Sequence, residues 1–210
     1  MRDNFIFDSS LVLSLPLYQL DGASFMSKGA YGHKAVVTGA LWTPSGREFD
    51  GVDDYISSGL VTAKTPCTFE LWAKISGGDV DKGICLLGGP TSHTGLSFRI
   101  QYWVIVGDEV RSTYRFFQRY YKMGDSLWHH IVWYISGTDI GDSWIRLDTE
   151  LLAIEDTTGG TAFDAWTDFV VGKGAWGAMP GIIGEWRVYT RELSALEIQH
   201  LYLSTKWRYK

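Results

Sequence analysis

The sequence predicts an all-β protein, a sandwich or barrel of antiparallel strands closed by one short C-terminal helix. Three observations predict it. Strand-like runs recur at 10–17, 34–38, 47–49, 54–58, 67–75, 83–88, 96–106, 109–122, 128–135, 143–148, 150–154, 168–172 and 182–190. Gly, Asp, Ser or Pro clusters separate most of them, the pattern of a sandwich or barrel. Alternation of period two is clear over 68–75, where Phe69, Leu71, Ala73 and Ile75 share one face and Thr68, Glu70, Trp72 and Lys74 the other. Third, a helix start signal occurs once, near the C-terminus.

Leu11-Val12-Leu13-Ser14-Leu15-Pro16-Leu17 is short and apolar like a signal core, but Asp3 and Asp8 interrupt the approach and no small-residue cleavage site follows. It reads as a buried first strand. Phe49-Asp50-Gly51 runs into Asp-Gly, the signal for a tight hairpin turn, with Tyr55-Ile56-Ser57 as the returning strand. If 68–75 and 83–88 pair as a hairpin, Cys67 faces a position near Thr91 and Cys85 faces Ala73. The thiols are then too far apart to bridge. Two free, partly buried cysteines are expected, consistent with folding in a reducing cytoplasm. Asp79-Val80-Asp81 falls in a Gly-rich loop, and Asp108-Glu109 reads as a hairpin turn. Trp128 to Ile135 is apolar on both faces and belongs inside the protein. Ser194-Ala195-Leu196-Glu197 is a capping box, and Leu193 can staple onto Ile198. The helix should run over 195–204 with Ile198, Leu201 and Tyr202 as its apolar stripe.

At 210 residues the chain fits one all-β domain spanning 1–210. Such a domain buries roughly 70% of its unfolded surface. Ten Trp, eleven Tyr and ten Phe exceed what one core needs, so some belong on a face that meets something. The formal charge of −5 argues against a general nucleic-acid binder. Nothing approaches the run of about 18 apolar residues that inserts a helix into a bilayer.

Five segments, in order, resemble the laminin-G-like or concanavalin A-like domains. Leu11 to Leu17 is similar to their opening strand. Cys67-Thr68-Phe69-Glu70-Leu71-Trp72-Ala73-Lys74 resembles "FTISFWVK", and Trp128-His129-His130-Ile131-Val132 resembles "WHHVA". Trp144-Ile145-Arg146-Leu147-Asp148 is similar to "RLYVDG". Gly184-Glu185-Trp186-Arg187-Val188-Tyr189-Thr190-Arg191-Glu192-Leu193-Ser194 is similar to "DEVRIYNRALS". The resemblance implies a two-sheet antiparallel jelly-roll β-sandwich. It does not imply one function, because this fold hosts lectins, hydrolases and scaffolds. Many members hold a structural Ca²⁺ between an early loop and the last strand. The two carboxylates of that site correspond here to Gly29 and Gly184, so the resemblance implies a site stripped of two anionic ligands. Asp50, Asp53 and Asp54 remain, with turn formation as their other role. No cofactor and no metal ligand is therefore expected, with a structural Ca²⁺ as the disfavoured alternative.

Glycoside hydrolysis on this fold places carboxylates on one strand as Glu-x-Asp-x-x-Glu, and no such pattern occurs. His129 and His130 are strand neighbours and point to opposite faces, which opposes a shared metal ion. No nucleophile motif supports a catalytic triad. The chain is thus expected not to be an enzyme.

The strand through 111–122 is the main binding candidate. Arg111, Arg115, Phe117, Arg119 and Tyr121 share one of its faces. Aromatic planes with forked donors suit a glycan, the same set suits a protein interface, and Arg stems over rings also make a solvated face. The tail Lys206-Trp207-Arg208-Tyr209-Lys210 is basic and aromatic; it either anchors to an acidic neighbour or packs and frays, and a solvated tail is favoured. The reading is a non-catalytic binding or assembly module with a protein partner or self-association. By context and fold analogy it suits a virus or phage structural part, a capsid decoration or tail-associated adhesin. The alternative is a stand-alone carbohydrate-binding domain, with a glycoside hydrolase behind both. Made without a signal peptide, such a module would end on a virion or cell surface.

Overall fold

A computed structural model describes residues 8–29, 31–59, 62–63, 65–76, 82–87, 94–99, 102–109, 112–118, 125–137, 142–152, 154–158, 166–167, 169–174 and 177–210. Among these, two antiparallel sheets form a sandwich. One has eight strands, ordered Glu150–Leu151, Trp144–Leu147, Trp128–Ile135, Cys67–Ile75, Pro180–Tyr189, Gly46–Asp50 and Leu41–Thr43, with Leu11–Leu15 also paired to Pro180–Tyr189. The other has nine, ordered Ile154–Thr158, Ser112–Gln118, Tyr102–Glu109, Thr94–Arg99, Lys82–Leu87, Phe169–Val171, Tyr55–Ser57, Lys34–Thr38 and Ser24–Met26. The helix Ala195–Thr205 lies on the outer face of the eight-stranded sheet. Its capping box is complete: Ser194 Oγ accepts from the Glu197 amide and Glu197 accepts from the Ser194 amide.

The inward residues of the alternating strands make the main core. Phe69 sits at its centre, 5.1 Å from the Trp133 ring, 5.8 Å from Trp186 and 5.8 Å from Phe169 of the opposite sheet. Leu13, Leu71, Ile131 and Val188 are buried around them. A second layer lies outside the eight-stranded sheet, where Leu11, Val132, Tyr189, Leu193, Ile198 and Leu201 seat the helix. Thr68, Glu70 and Trp72, the polar-looking face of the alternating strand, are therefore buried as completely as the apolar face. The apolar Trp128–Ile135 strand is explained by the same cover, since it pairs with Cys67–Ile75 along its whole length.

Several sequence expectations need correction. Asp50-Gly51 is not a hairpin: Gly46–Asp50 belongs to the eight-stranded sheet and Tyr55–Ser57 to the nine-stranded one, so the segment crosses between sheets. Gly51 supplies the positive φ of +80°. Asp50 Oδ1 accepts from the Val52 amide, and Asp54 Oδ2 accepts from the Asp50 amide, which fixes the corner without strand pairing. The strands at 67–75 and 82–87 likewise lie in opposite sheets rather than in one hairpin. Both cysteines are buried thiols, fully rather than partly. Burial raises the Cys67 pKa well above its usual range. The single run 96–106 divides into Thr94–Arg99 and Tyr102–Glu109, with Arg99 facing Tyr102. Asp108 and Glu109 are strand residues, paired with Thr113 and Ser112. No helix among the described residues is long and apolar enough to cross a membrane.

Candidate functional site

A bulge sets up the site. Ile183 pairs with Ala73 and Glu185 with Trp72, leaving Gly184 as the extra residue. Strand faces alternate strictly, so one inserted residue exchanges them. Ile183 and Trp186 both point into the main core, while Glu185 and Arg187 point outward beside Glu70 and Trp72.

The outcome is a network of charged side chains beneath the C-terminal segment. Arg187 Nη1 donates to Glu70 Oε2 at 2.8 Å, and Nη2 donates to Glu185 Oε2. His130 Nε2 lies 2.8 Å from Glu70 Oε1. Tyr209 donates its hydroxyl hydrogen to Glu185 Oε1 at 3.0 Å, and Arg208 Nη1 lies 3.5 Å from the same oxygen. Burial works against the charged form of Glu70, yet Arg187 and His130 outweigh it and hold its carboxyl well below the usual range. Burial dominates at Glu185 and pushes its carboxyl up, with the nearby Glu70 charge adding to it. The carboxylates flanking Arg187 keep its guanidinium charged despite burial.

Aromatic rings close the network. Trp72 stacks on Tyr209 at 4.7 Å and on Tyr202 at 5.6 Å, and its Nε1 donates to Thr205 Oγ1 at 2.8 Å. The tail is thus docked rather than solvated: Tyr209 is buried, and Arg208 meets the acidic Glu185. Above the network opens a pocket of about 540 Å³ between the first strand and the helix. Ser14, Tyr18, Gln19, Lys28, Trp207 and Arg208 line it, over a floor of Glu185 and Arg187. The Arg208 guanidinium lies over the Tyr18 ring at 3.7 Å and over Trp207 at 4.8 Å. Trp207 is 62% exposed, and its Nε1 donates to Ser204 O at 2.8 Å, which fixes the ring edge.

The strand named from sequence is only partly described. Arg115 and Phe117 lie on Ser112–Gln118, opposite Val106 and Val104 on one side and Thr158 and Asp156 on the other. Arg111, Arg119 and Tyr121 lie outside the described residues, as do Asp79 and Asp81. His129 and His130 have separate partners: His129 meets Asp148 at 2.6 Å and Asp125 at 3.3 Å, while His130 meets Glu70. Burial would lower the His129 pKa, but the Asp148 and Asp125 carboxylates outweigh it and raise it. Sequence reasoning missed Glu70, Glu185 and Arg187. Their one local signal was a glutamate and an arginine placed mid-strand in apolar runs, where charge persists only if paired.

The calcium site implied by the resemblance does not fit these residues. A side chain at Gly184 would place its Cβ 2.2 Å from the Tyr209 ring, so an aromatic ring fills the space a carboxylate there would need. Asp50, Asp53 and Asp54 bring oxygens within 4.8 Å of one another, but backbone amides of the sheet-crossing corner already engage Asp50 Oδ1 and Asp54 Oδ2. Thermal melts in EDTA and in millimolar Ca²⁺ should therefore coincide. A Ca²⁺-dependent rise of several degrees would show an ion bound to the native state and overturn this.

The concanavalin A-like lectin/glucanases superfamily model matches residues 50–199. No curated protein matches the sequence. Among solved structures, Trypanosoma rangeli sialidase in complex with sialic acid is similar at a TM-score of 0.68 and 17% identity, over 95% of this chain and 33% of that one. The binding domain of botulinum neurotoxin serotype D/C is similar at a TM-score of 0.66 and 13% identity, over 93% of this chain and 52% of that one. The chain thus spans about a third of the sialidase and about half of the neurotoxin domain. At such identities the likeness concerns the fold. With more than half its length matched, and its two sheets and terminal helix as described, the chain belongs to the concanavalin A-like lectin/glucanases superfamily.

Proposed function

We propose that this domain is a non-catalytic binding module whose ligand, a glycan or a glycan-bearing receptor, enters the pocket under the C-terminal helix. The observation that carries this is the exposed, edge-fixed Trp207 beside the ring-held Arg208 at the mouth of a 540 Å³ pocket. Ligand sites commonly have volumes of roughly 300–1,000 Å³ and combine an apolar platform with a few convergent polar groups. The non-catalytic part is supported by how the carboxylates are used. Both oxygens of Glu70 and of Glu185 are engaged by Arg187, His130, Tyr209 and Arg208, which leaves neither carboxylate placed to attack or protonate a glycosidic bond.

Glycan-array screening followed by titration tests the reading. The parent chain should bind, and Trp207→Ala should weaken binding by about 2 kcal/mol, the scale of an aromatic anchor. Its exposure means the fold should persist, which circular dichroism checks. An array without binding, or a Trp207→Ala variant that binds as the parent does, would remove the pocket from consideration. A second reading retains assembly on a virus or phage particle. What supports it is that Ile154–Thr158 ends the nine-stranded sheet among the described residues, a place where a further strand can add, with Arg115 and Phe117 on the strand next to it. A discrete oligomer in light scattering, lost in Arg115→Ala with Phe117→Ala, would favour that reading.

A further inference from the structure

We infer that the pocket selects a carboxylate-bearing saccharide, its carboxylate held between Lys28 and Arg208 and its ring set against Trp207. This rests on the binding reading above and adds the chemical class of the ligand.

The charge inventory carries the argument. Arg187 is committed to Glu70 on one side and Glu185 on the other. Glu185 is further occupied by the Tyr209 hydroxyl at 3.0 Å, and its contact with Arg208, at 3.5 Å, is the longest in the network. Lys28 lines the pocket, is exposed and makes no ion pair among the described residues, unlike Arg187, Arg191 and Arg208. Three cations, Lys28, Arg187 and Arg208, thus stand against two carboxylates, Glu70 and Glu185. The pocket keeps an excess positive charge on a chain whose formal charge is −5. An excess of that sign on an acidic protein favours an anionic guest.

Arg208 is suited to hold one. Its guanidinium carbon lies 3.7 Å from the centre of the Tyr18 ring and 4.8 Å from that of Trp207, its contact with Glu185 is long, and its planar fork of N–H donors has the shape that matches a carboxylate. Tyr18 and Trp207 therefore fix the group in advance, which lowers the ordering cost of binding. Gln19 adds amide donors and an acceptor for hydroxyls, and Trp207 supplies the apolar surface.

The test is calorimetric titration of the full chain with an oligomer of hexuronic acids and with the same oligomer carboxyl-reduced to the primary alcohol. The acidic form should bind about 10-fold more tightly or better, a difference equivalent to about 1.4 kcal/mol. That preference should shrink in high salt, because the contributing charges are solvent-facing. Lys28→Gln should cut the preference at least about threefold, on the scale of a partly exposed charge pair. Its melting temperature should match the parent's, and Arg208→Lys, which keeps charge and loses the fork, should also reduce the preference. If the two forms bind alike, the inference is overturned and the binding reading stands. If neither form binds but a neutral glycan does, the inference again falls alone. If no saccharide of either kind binds, both fall, and a Glu-rich peptide that binds in their place would identify the pocket as a protein-docking site.

Discussion

Replacing Arg187 with methionine should destabilise the domain by about 3–5 kcal/mol, because it strands two buried carboxylates. Glu70 is fully buried and Glu185 is 2% exposed, and each loses its principal cation. Total stabilities of about 5–15 kcal/mol make this a large share of what holds the fold. The pH dependence carries the distinguishing sign. In the parent, Glu70 is held below its unfolded value, so its contribution is present above that value and lost as pH falls. Glu185 is raised and has the opposite sign, gaining as pH falls. In the variant both carboxylates are raised, and protonation relieves them. The stability gap between parent and variant should therefore narrow from pH 7 to pH 4. Urea melts across that range measure it. A loss below about 1 kcal/mol, or a gap that widens on acidification, would show that the network does not hold these charges. Adding Glu70→Gln and Glu185→Gln to the variant should recover much of the loss, since removing a whole buried ionic set costs far less than removing one member.

Phe69→Ala should cost a comparable amount, about 3–5 kcal/mol, through lost burial and the cavity left behind. The side chain is fully buried and contacts rings from both sheets, Trp133 and Trp186 from its own and Phe169 from the other. At roughly 2–4 °C per kcal/mol for a chain of this size, the melting temperature should fall by about 6–20 °C. Differential scanning calorimetry reads this directly. A fall of only a degree or two would mean that the surrounding rings collapse into the space. Ligand affinity of the folded fraction should be unchanged, because Phe69 faces away from the pocket. Arg187→Met alters the pocket floor and should change both stability and binding, so the two variants separate core from site.

The strands Cys67–Ile75 and Trp128–Ile135 and the capped helix were legible because their signals are local. Two-residue alternation, a doubly apolar run and a reciprocal cap each depend on neighbours a few positions away, and all three emerge with the expected bounds to within a residue. The Asp50-Gly51 segment was legible as a turn but not as a crossing between sheets. A turn residue specifies φ, whereas the partner of the next strand is chosen by residues far along the chain: Val170 and Val171 for Tyr55–Ser57, and Pro180 to Ile183 for Gly46–Asp50. The candidate site was less legible still. The strand chosen for its arginines and aromatics was selected by composition, yet the described site is assembled from Glu70, Glu185 and Arg187, which are spread over two strands, and from the tail.

Sequence alone determined the class of the fold, its terminal helix, the family, and the loss of carboxylates at Gly29 and Gly184. Tertiary structure decided what those losses mean. Only the folded chain brings Tyr209 across Gly184, turns Glu185 and Arg187 outward by a single bulge, and lays the helix over Trp72 and His130, the neighbours of Glu70. The physical reason is that a charged side chain carries no mark of whether water or protein will cover it. Burial, partners and protonation are fixed by what packs above, and here that cover arrives from a C-terminal segment far along the chain from the strand that carries Glu70.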